Sequence, residues 1–411
     1  MNNEQCTIFA QTERSSQIHL DDAEVQPKIT QKRCGCVMND EQWRKVKLEE
    51  VGEINPSNKE PIHSQFVYID LESVVAGKLL VENHILRENA PSRAQRLVYY
   101  NDVLYQTVRP YQRNNYIHKK QGNYVASTGY ALIRCYDDYE PDFVYYLLHT
   151  HNFESIVLGL CTGTSYPAIA PNNLKRIKIS IPFKNDKPDF PAQRRIAAIL
   201  TSADKVIAAT QKTIAKYKQI KQGMMEDLLK PKEGWKMVKL GEVYNFQYGD
   251  GNKNPNNNGD YPIYGANGII GGYTKFNAVD SVVIGHMGEY AGSVIWANGK
   301  HFVTYNGTIT IVKDNNSLYD RFGYFVLLNL DIKKICAGSG QPFLSYDTLN
   351  KIEISIPDLA AQRRIAAILS GIDAKIAAEE KVLEKYEKVK KGLMERLFER
   401  QDASSITSES N

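Results

Sequence analysis

Displaced by 169 residues, this sequence matches itself: Gln193 to Leu200, read as QRRIAAIL, recurs unchanged as Gln362 to Leu369, and the match runs without a gap to Leu229 and Phe398 with 20 identities. Internal self-similarity on this scale constrains the fold more than any composition, because a duplicated unit must bury its core twice in the same way. Ahead of the matched block, Leu174 to Pro182 aligns with Leu349 to Pro357, both ending in Ile-x-Ile-Pro, and the polar insertion Lys184 to Asp189 accounts for the change of register. Earlier, Trp43 to Leu48 aligns with Trp235 to Leu240. Each module opens on a tryptophan segment, passes through a middle unlike that of the other module, closes on Ile-x-Ile-Pro and ends in a long polar-apolar tract.

Those two tracts, residues 193–229 and 362–398, contain no proline, carry one glycine near the end of each (Gly223 and Gly392) with a second, Gly371, in the later tract, and are rich in Ala, Lys, Glu, Ile and Leu, which predicts long helices. Heptad seams run through Leu200, Ile207, Ile214, Lys221 and Leu228 with Ile196, Ala203, Thr210, Tyr217 and Met224, and through Leu369, Ile376, Leu383, Lys390 and Leu397 with Ile365, Ile372, Glu379, Tyr386 and Leu393. Such helices span roughly 50 Å at a rise of about 1.5 Å per residue. Only Lys230 to Gly234 separate the first helix from Trp235, so the second globular unit begins at the far end of the first helix. Antiparallel pairing then sets the two units at opposite ends of a rod. The polar interruptions, Lys221 among them, are expected to weaken the seam.

The expected fold class is therefore α+β: two mixed, strand-rich domains separated by two long antiparallel coiled-coil helices. The boundaries read as a polar N-terminal extension over 1–42, a first domain over 43–190, a spacer helix over 191–231, a second domain over 232–357, a second spacer helix over 358–399 and a disordered tail over 400–411. β-branched and alternating runs such as Phe66 to Ile69, Val98 to Tyr105, Ser281 to Gly285 and Thr308 to Val312 predict strands in both middles.

Matched ends around dissimilar middles suggest two recognition units with different targets. Between Asp102 and Asp137 lie Arg109, Arg113, Lys119, Lys120 and Arg134 without a carboxylate, interleaved with Tyr105, Tyr111, Tyr116, Tyr124 and Tyr130. Cations hold phosphates, and arginine, tyrosine and asparagine reach base edges, so this stretch points to nucleic acid, although a solvated basic loop is compatible with it. The second middle is near neutral, and its loops Tyr248 to Asn254 and Gly265 to Gly268 suit backbone and amide contacts to phosphate and adenine as well as they suit plain turns. The candidate DNA contacts are Arg109, Arg113, Tyr116, Lys119, Lys120, Tyr166, Asn252, Lys253, Asn267, Lys275 and Gln341.

A net charge of +4 over 411 residues adds little support for a polyanionic partner, so local distribution has to carry the argument. No GxxxxGK[ST] loop, no Asn-Pro-Pro-aromatic or Asp-Pro-Pro-aromatic tetrapeptide and no HExxH spacing occurs, which argues against a motor, an amino-methyltransferase or a zinc hydrolase in this chain. Six scattered cysteines, including the lone pair Cys34 and Cys36, read as reduced thiols. No run approaches the roughly eighteen apolar residues of a membrane span, and a cytoplasmic, membrane-free location is expected.

Together these features resemble the specificity subunits of type I restriction-modification enzymes over about residues 43 to 399. The resemblance rests on the Trp-Lys-x-Val-Lys-Leu-Gly-Glu-Val opening, on Tyr261 to Gly268 and Ile284 to Gly288, on Gly163 to Ile169 with its partner Gly338 to Leu344, and on the Ile-x-Ile-Pro to Gln-Arg-Arg-Ile junctions. It implies a non-catalytic protein whose two target recognition domains read the halves of a bipartite, asymmetric site on double-stranded DNA. It also implies docking of two methyltransferase subunits and of restriction or translocase subunits, with S-adenosylmethionine, ATP and Mg on those partners and no cofactor on this chain. The repeated junctions, Gln193, Arg194 and Arg195 with Gln362, Arg363 and Arg364, are the candidate partner-binding residues, and Ala197, Ala198, Ala208 and Ala209 with their repeats permit close approach of a partner. A stand-alone two-domain DNA-binding protein is the alternative reading.

Overall fold

The computed structural model describes residues 42–251, 254–338 and 340–399. The expected extension and tail, the pair Cys34 and Cys36, and the candidates Asn252 and Lys253 lie outside them.

The repeat is spatial as well as sequential. Opening strand Gln42–Lys47 pairs antiparallel with closing strand Lys178–Lys184, placing Trp43 opposite Pro182, and Lys236–Lys239 pairs in the same way with Glu353–Ile356. Each opening strand runs into a short helix, Leu48–Val51 or Leu240–Val243, whose first amide donates to the closing segment: Leu48 N to Ile177 O at 2.9 Å and Leu240 N to Ile352 O at 2.8 Å. The two ends of each module thus form one closed stem. The polar insertion Lys184 to Asp189 folds into a hairpin that turns at Asn185 and Asp186, both in the left-handed region, and Arg44 bonds the Asp186 carboxylate.

From the stems grow different middles. The first contains two four-stranded sheets, and the second a single six-stranded sheet with Tyr244–Tyr248 at one edge and Gly268–Tyr273 at the other. Equivalent helices, Pro141–Leu147 and Asp320–Asn329, pack under the stems through matched aromatic pairs, Trp43 with Phe143 and Trp235 with Phe322, each with ring centroids 6.4 Å apart.

The long helices are Phe190–Leu228 and Leu359–Met394, followed after the second by a π-helical turn, Glu395–Glu399. Each begins on an aspartate cap: Asp189 accepts from Ala192 N and Asp358 from Ala361 N, satisfying amides that a helix start leaves unpaired. They run antiparallel, as the cross-helix ion pairs require: Lys221 meets Asp373 at 2.6 Å, Lys218 meets Glu380 at 2.8 Å and Lys390 meets Asp204 at 2.6 Å. Shifted by the repeat length, Lys221 becomes Lys390 and Asp204 becomes Asp373, so the first and last of these pairs are one contact made twice about a pseudo-two-fold axis. The lysines that interrupt the heptad pattern are thus cross-links rather than weak points. Tyr386, expected in the seam, is exposed, and Thr210 is buried with its hydroxyl turned back to Val206 O.

Each helix ends in the other module's core. Phe398, with Leu393, Met394 and Leu397 beside it, joins the core of Phe143, Ile181 and Leu200, while Met225 and Leu229 join that of Phe322, Ile356 and Leu369. The α+β architecture expected from the repeat holds, with the two strand-rich units at opposite ends of one rod.

Candidate nucleic-acid interface

In the first middle, folding brings carboxylates to the basic stretch from segments remote in sequence. Arg113 makes a forked contact with Glu154, its Nε at 2.7 Å from Oε1, and that bond holds the glutamate below the usual carboxylate range. Lys119 bonds Asp142 at 2.6 Å, and Lys120 bonds Glu82, whose pKa it lowers. Arg134 forks onto the buried Asp102 at 2.9 and 2.7 Å and lies over the Tyr99 ring. Arg113, Lys119 and Lys120 are therefore tied into ion pairs rather than presented as a free basic face. Tyr105, Tyr116, Tyr124 and Tyr130 are core residues, between 0 and 6% exposed, and only Tyr111 of the interleaved tyrosines is half-exposed. Tyr116 in particular is buried and packs edge-on to His118.

Arg109 stands apart. It takes part in no ion pair among the described residues, and its guanidinium lies 4.3 Å over the ring of Tyr166. Tyr166 is 66% exposed on the Gly163 to Ile169 loop, and together the two side chains line an open cleft of about 790 Å³ with Arg93, Gln112, Asn114 and Glu72.

The corresponding loop of the second unit is built in the same way. Thr162 and Ala168 exchange backbone hydrogen bonds, as do Ala337 and Phe343, closing a tight loop in each unit. Both loops turn on a left-handed glycine, Gly163 at φ 92° and Gly338 at φ 95°, where a Cβ would come within 3.0 Å of Tyr166 O or 2.8 Å of Gln341 O. Gln341 occupies the place of Tyr166 and is exposed. In the same unit Tyr248 stacks on Tyr346 and packs at a tilt against His286, each with centroids at 4.0 Å. Asn267 is exposed in the two-residue turn between Tyr261–Gly265 and Gly268–Tyr273, and Lys275 is exposed after the second of these strands.

At the helix junctions the structure separates residues that the sequence presents as one motif. Gln193 and Gln362 are buried, at 0 and 1% exposure, and act as internal clamps. Gln193 accepts from Glu140 N at 3.0 Å and donates to Asp138 O at 3.3 Å; Gln362 accepts from Tyr319 N at 2.8 Å and donates to Ser317 O and Pro357 O. They hold their helices to the globular units and are not free for a partner. Ala197 and Ala366 are buried in the same cores. Arg194, Arg195, Ala198 and Ile199 face outward, as do Arg363, Arg364, Ala367 and Ile368.

Residues 40–219 and 232–388 match the type I restriction modification DNA specificity domain, one copy for each module. The chain belongs to that family. It is 25% identical over 301 residues to the type I restriction enzyme MjaVIII specificity subunit of Methanocaldococcus jannaschii, covering 60% of this chain and 67% of that one. It is also 33% identical over 122 residues to a putative type I restriction enzyme specificity subunit of Haemophilus influenzae, covering 28% and 31%. The type I restriction-modification S subunit from M. genitalium has the same fold, with a TM-score of 0.63 and 20% identity over 88% of this chain and 97% of that one. A chain from a structure of type I restriction-modification complex assembly aligns with a TM-score of 0.54 and 22% identity over 87% and 97%. This DNA specificity subunit therefore carries two target recognition domains. No helix of its described residues is long and apolar enough to cross a membrane.

Proposed function

We propose that this specificity subunit reads a bipartite, asymmetric site on double-stranded DNA, one half with each target recognition domain, and docks methyltransferase subunits on its rod without doing chemistry itself. The observation that carries this reading is the pair of equivalent loops, at Gly163 to Ile169 and at Gly338 to Leu344, which share a backbone and differ in the side chains presented. Two such loops at opposite ends of a rod suit two different half-sites across an unread spacer. Docking has matching support. The outward rows Arg194, Arg195, Ala198, Ile199 and Arg363, Arg364, Ala367, Ile368 are the same surface presented twice, with Ile199 41% and Ile368 43% exposed, which suits two copies of one partner. Restriction subunits, and S-adenosylmethionine, ATP and Mg held by partners, belong to the same reading.

The test is to isolate the chain from its host with bound proteins attached and to map DNA methylation with and without it. A co-purified adenine methyltransferase and a two-block motif that disappears with the chain are expected. A chain that binds DNA specifically but brings down no methyltransferase and leaves the methylome unchanged would establish the stand-alone binding protein instead.

A further inference from the structure

We propose that Arg109 reads a guanine in the half-site of the first domain, its guanidinium fork held in plane by Tyr166. The inference rests on the two-half-site function above and names the residue and base that it leaves open.

The argument comes from comparing the two modules at one backbone position. Ile169 N donates to Thr107 O at 3.0 Å and Arg109 N to Pro167 O at 2.7 Å; Leu344 N donates to His286 O at 2.9 Å and Gly288 N to Pro342 O at 2.8 Å. Val108 bridges Ala168 as Met287 bridges Phe343. Thr107 to Arg109 is thus the counterpart of His286 to Gly288, and Arg109 stands where the other module has a glycine. The backbone is left-handed at both, φ 53° at Arg109 and 78° at Gly288. Glycine adopts that conformation freely, whereas a residue with a Cβ does so against a steric penalty. Strain of this kind persists where the surrounding structure enforces it, and it concentrates at functional sites. Space is not the obstacle, since a Cβ on Gly288 would meet nothing within 4 Å.

Three features of the side chain point to a base. Among the described residues Arg109 has no ion-pair partner, while Arg113, Lys119, Lys120 and Arg134 each have a carboxylate. Its Nε is buried without a hydrogen-bond partner among the described residues, and the side chain borders the open cleft. The Tyr166 ring 4.3 Å away fixes the plane of the fork, and a planar pair of N–H donors matches O6 and N7 of guanine in the major groove. An arginine fork can also hold a phosphate, but losing that contact weakens binding to all sequences alike, which duplex selection distinguishes from loss at a single base.

Selection from randomised duplexes by the full chain, with any methyltransferase that co-purifies, tests this directly. Wild type should enrich two specified blocks. Arg109→Gly, which supplies the residue the other module uses, should fold normally by circular dichroism and keep one block intact. In the other it should lose one G·C position, with discrimination there falling roughly 5- to 150-fold. Arg109→Lys, which keeps the charge and removes the planar fork, should weaken discrimination at the same base while its salt dependence of binding stays as in wild type. An unchanged motif in Arg109→Gly, or uniform weakening on all sequences, would overturn the assignment and leave the two-half-site function standing. Failure of wild type to enrich two blocks would remove that function and this inference with it.

Discussion

The paired contacts Lys221 with Asp373 and Lys390 with Asp204 lead to a prediction about half of the molecule. A fragment from Trp43 to Lys232 carries Asp204 and Lys221 but neither of their partners. If two copies pair antiparallel, Lys221 of each meets Asp204 of the other, and both cross-links re-form. Met224, Met225, Leu228 and Leu229 then enter the opposite copy's core where Leu393, Met394, Leu397 and Phe398 sit in the full chain. Leu229 replaces Phe398 there and forfeits its ring contact with Phe143 at 5.3 Å, a loss of about 1 kcal/mol per site. The fragment should therefore form a two-fold dimer, weaker than the intact rod.

Charge reversal sets the magnitude. Lys221 and Asp373 are 17 and 25% exposed, and Lys390 and Asp204 are 27 and 38%, between the surface and buried limits for ion pairs. Exposed pairs contribute about 0 to 1 kcal/mol, and breaking a buried pair costs about 3 to 5. Roughly 1 to 2 kcal/mol per contact, counted twice by symmetry, should weaken the Lys221→Asp fragment dimer by about 30- to 1,000-fold. The double variant Asp204→Lys with Lys221→Asp should dimerise like wild type, yet the two fragments should not mix, because every mixed contact sets like charges together. Native mass spectrometry of an equimolar mixture of size-tagged fragments reads this outcome. Statistical mixing, or a Lys221→Asp fragment that dimerises at wild-type concentration, would refute the role assigned to these pairs.

Replacing either clamp glutamine by alanine leaves buried amide and carbonyl groups unpaired, so Gln193→Ala should lower stability by roughly 1 to 3 kcal/mol. Proteolysis should then begin near the Asp138 to Pro141 junction, and Gln362→Ala should do the same near Ser317 to Tyr319. Arg113→Ala should leave base preference at both half-sites unchanged in duplex selection, since the side chain is committed to Glu154; a loss of discrimination would return it to the interface. Burial pushes His118 and His149 of the first domain down to about 4. Both then take up protons more readily unfolded than folded, so their contribution is full above about 6.5 and is lost as pH falls toward 4. Hydrogen-exchange protection of the first domain, corrected for the intrinsic pH dependence of exchange, should fall over that window, and His149→Gln should flatten the response.

The rod and the duplication were legible in the sequence because their signals are repeated and periodic: the eight-residue match and the Ile-x-Ile-Pro closures each mark one position in two copies of a structure. The interface was much less legible. A window from Asp102 to Asp137 looks basic because Glu82, Asp142 and Glu154 lie outside it, and only the folded sheets and helices bring them within bonding distance. The alternation of tyrosine with polar residues is equally the pattern of a half-buried strand, and burial of Tyr105, Tyr124 and Tyr130 resolves it that way. The Gln-Arg-Arg motif misled for a related reason. On a helix its adjacent residues point in different directions, so the glutamine faces the core while the arginines face out. What could have singled out Arg109 in the sequence was its alignment with Gly288, but the shift there differs from that of the loops and only the hydrogen bonds establish it.

Equivalent stems with unlike middles follow from how each stem is closed. Opening and closing strands pair in register, so the chain leaves the stem after Leu48 and returns at Ile177 across a single hydrogen bond, and does the same between Leu240 and Ile352. Adjacent strands lie about 4.8 Å apart. Any inserted structure whose ends meet at that spacing satisfies the stem, and the entropy of closing a longer insertion grows only logarithmically. Two four-stranded sheets and one six-stranded sheet can therefore stand on the same base. The constraints that remain on a middle are the helix under the stem, held by Phe143 or Phe322 against its tryptophan, the backbone segment clamped by Gln193 or Gln362, and the glycine-turned loop against its partner segment. Everything beyond those contacts is free to vary without disturbing the rod or the outward face of its helices. A protein organised in this way can change what either end presents while the distance between its ends, and the outward face of its helices, stay as they were.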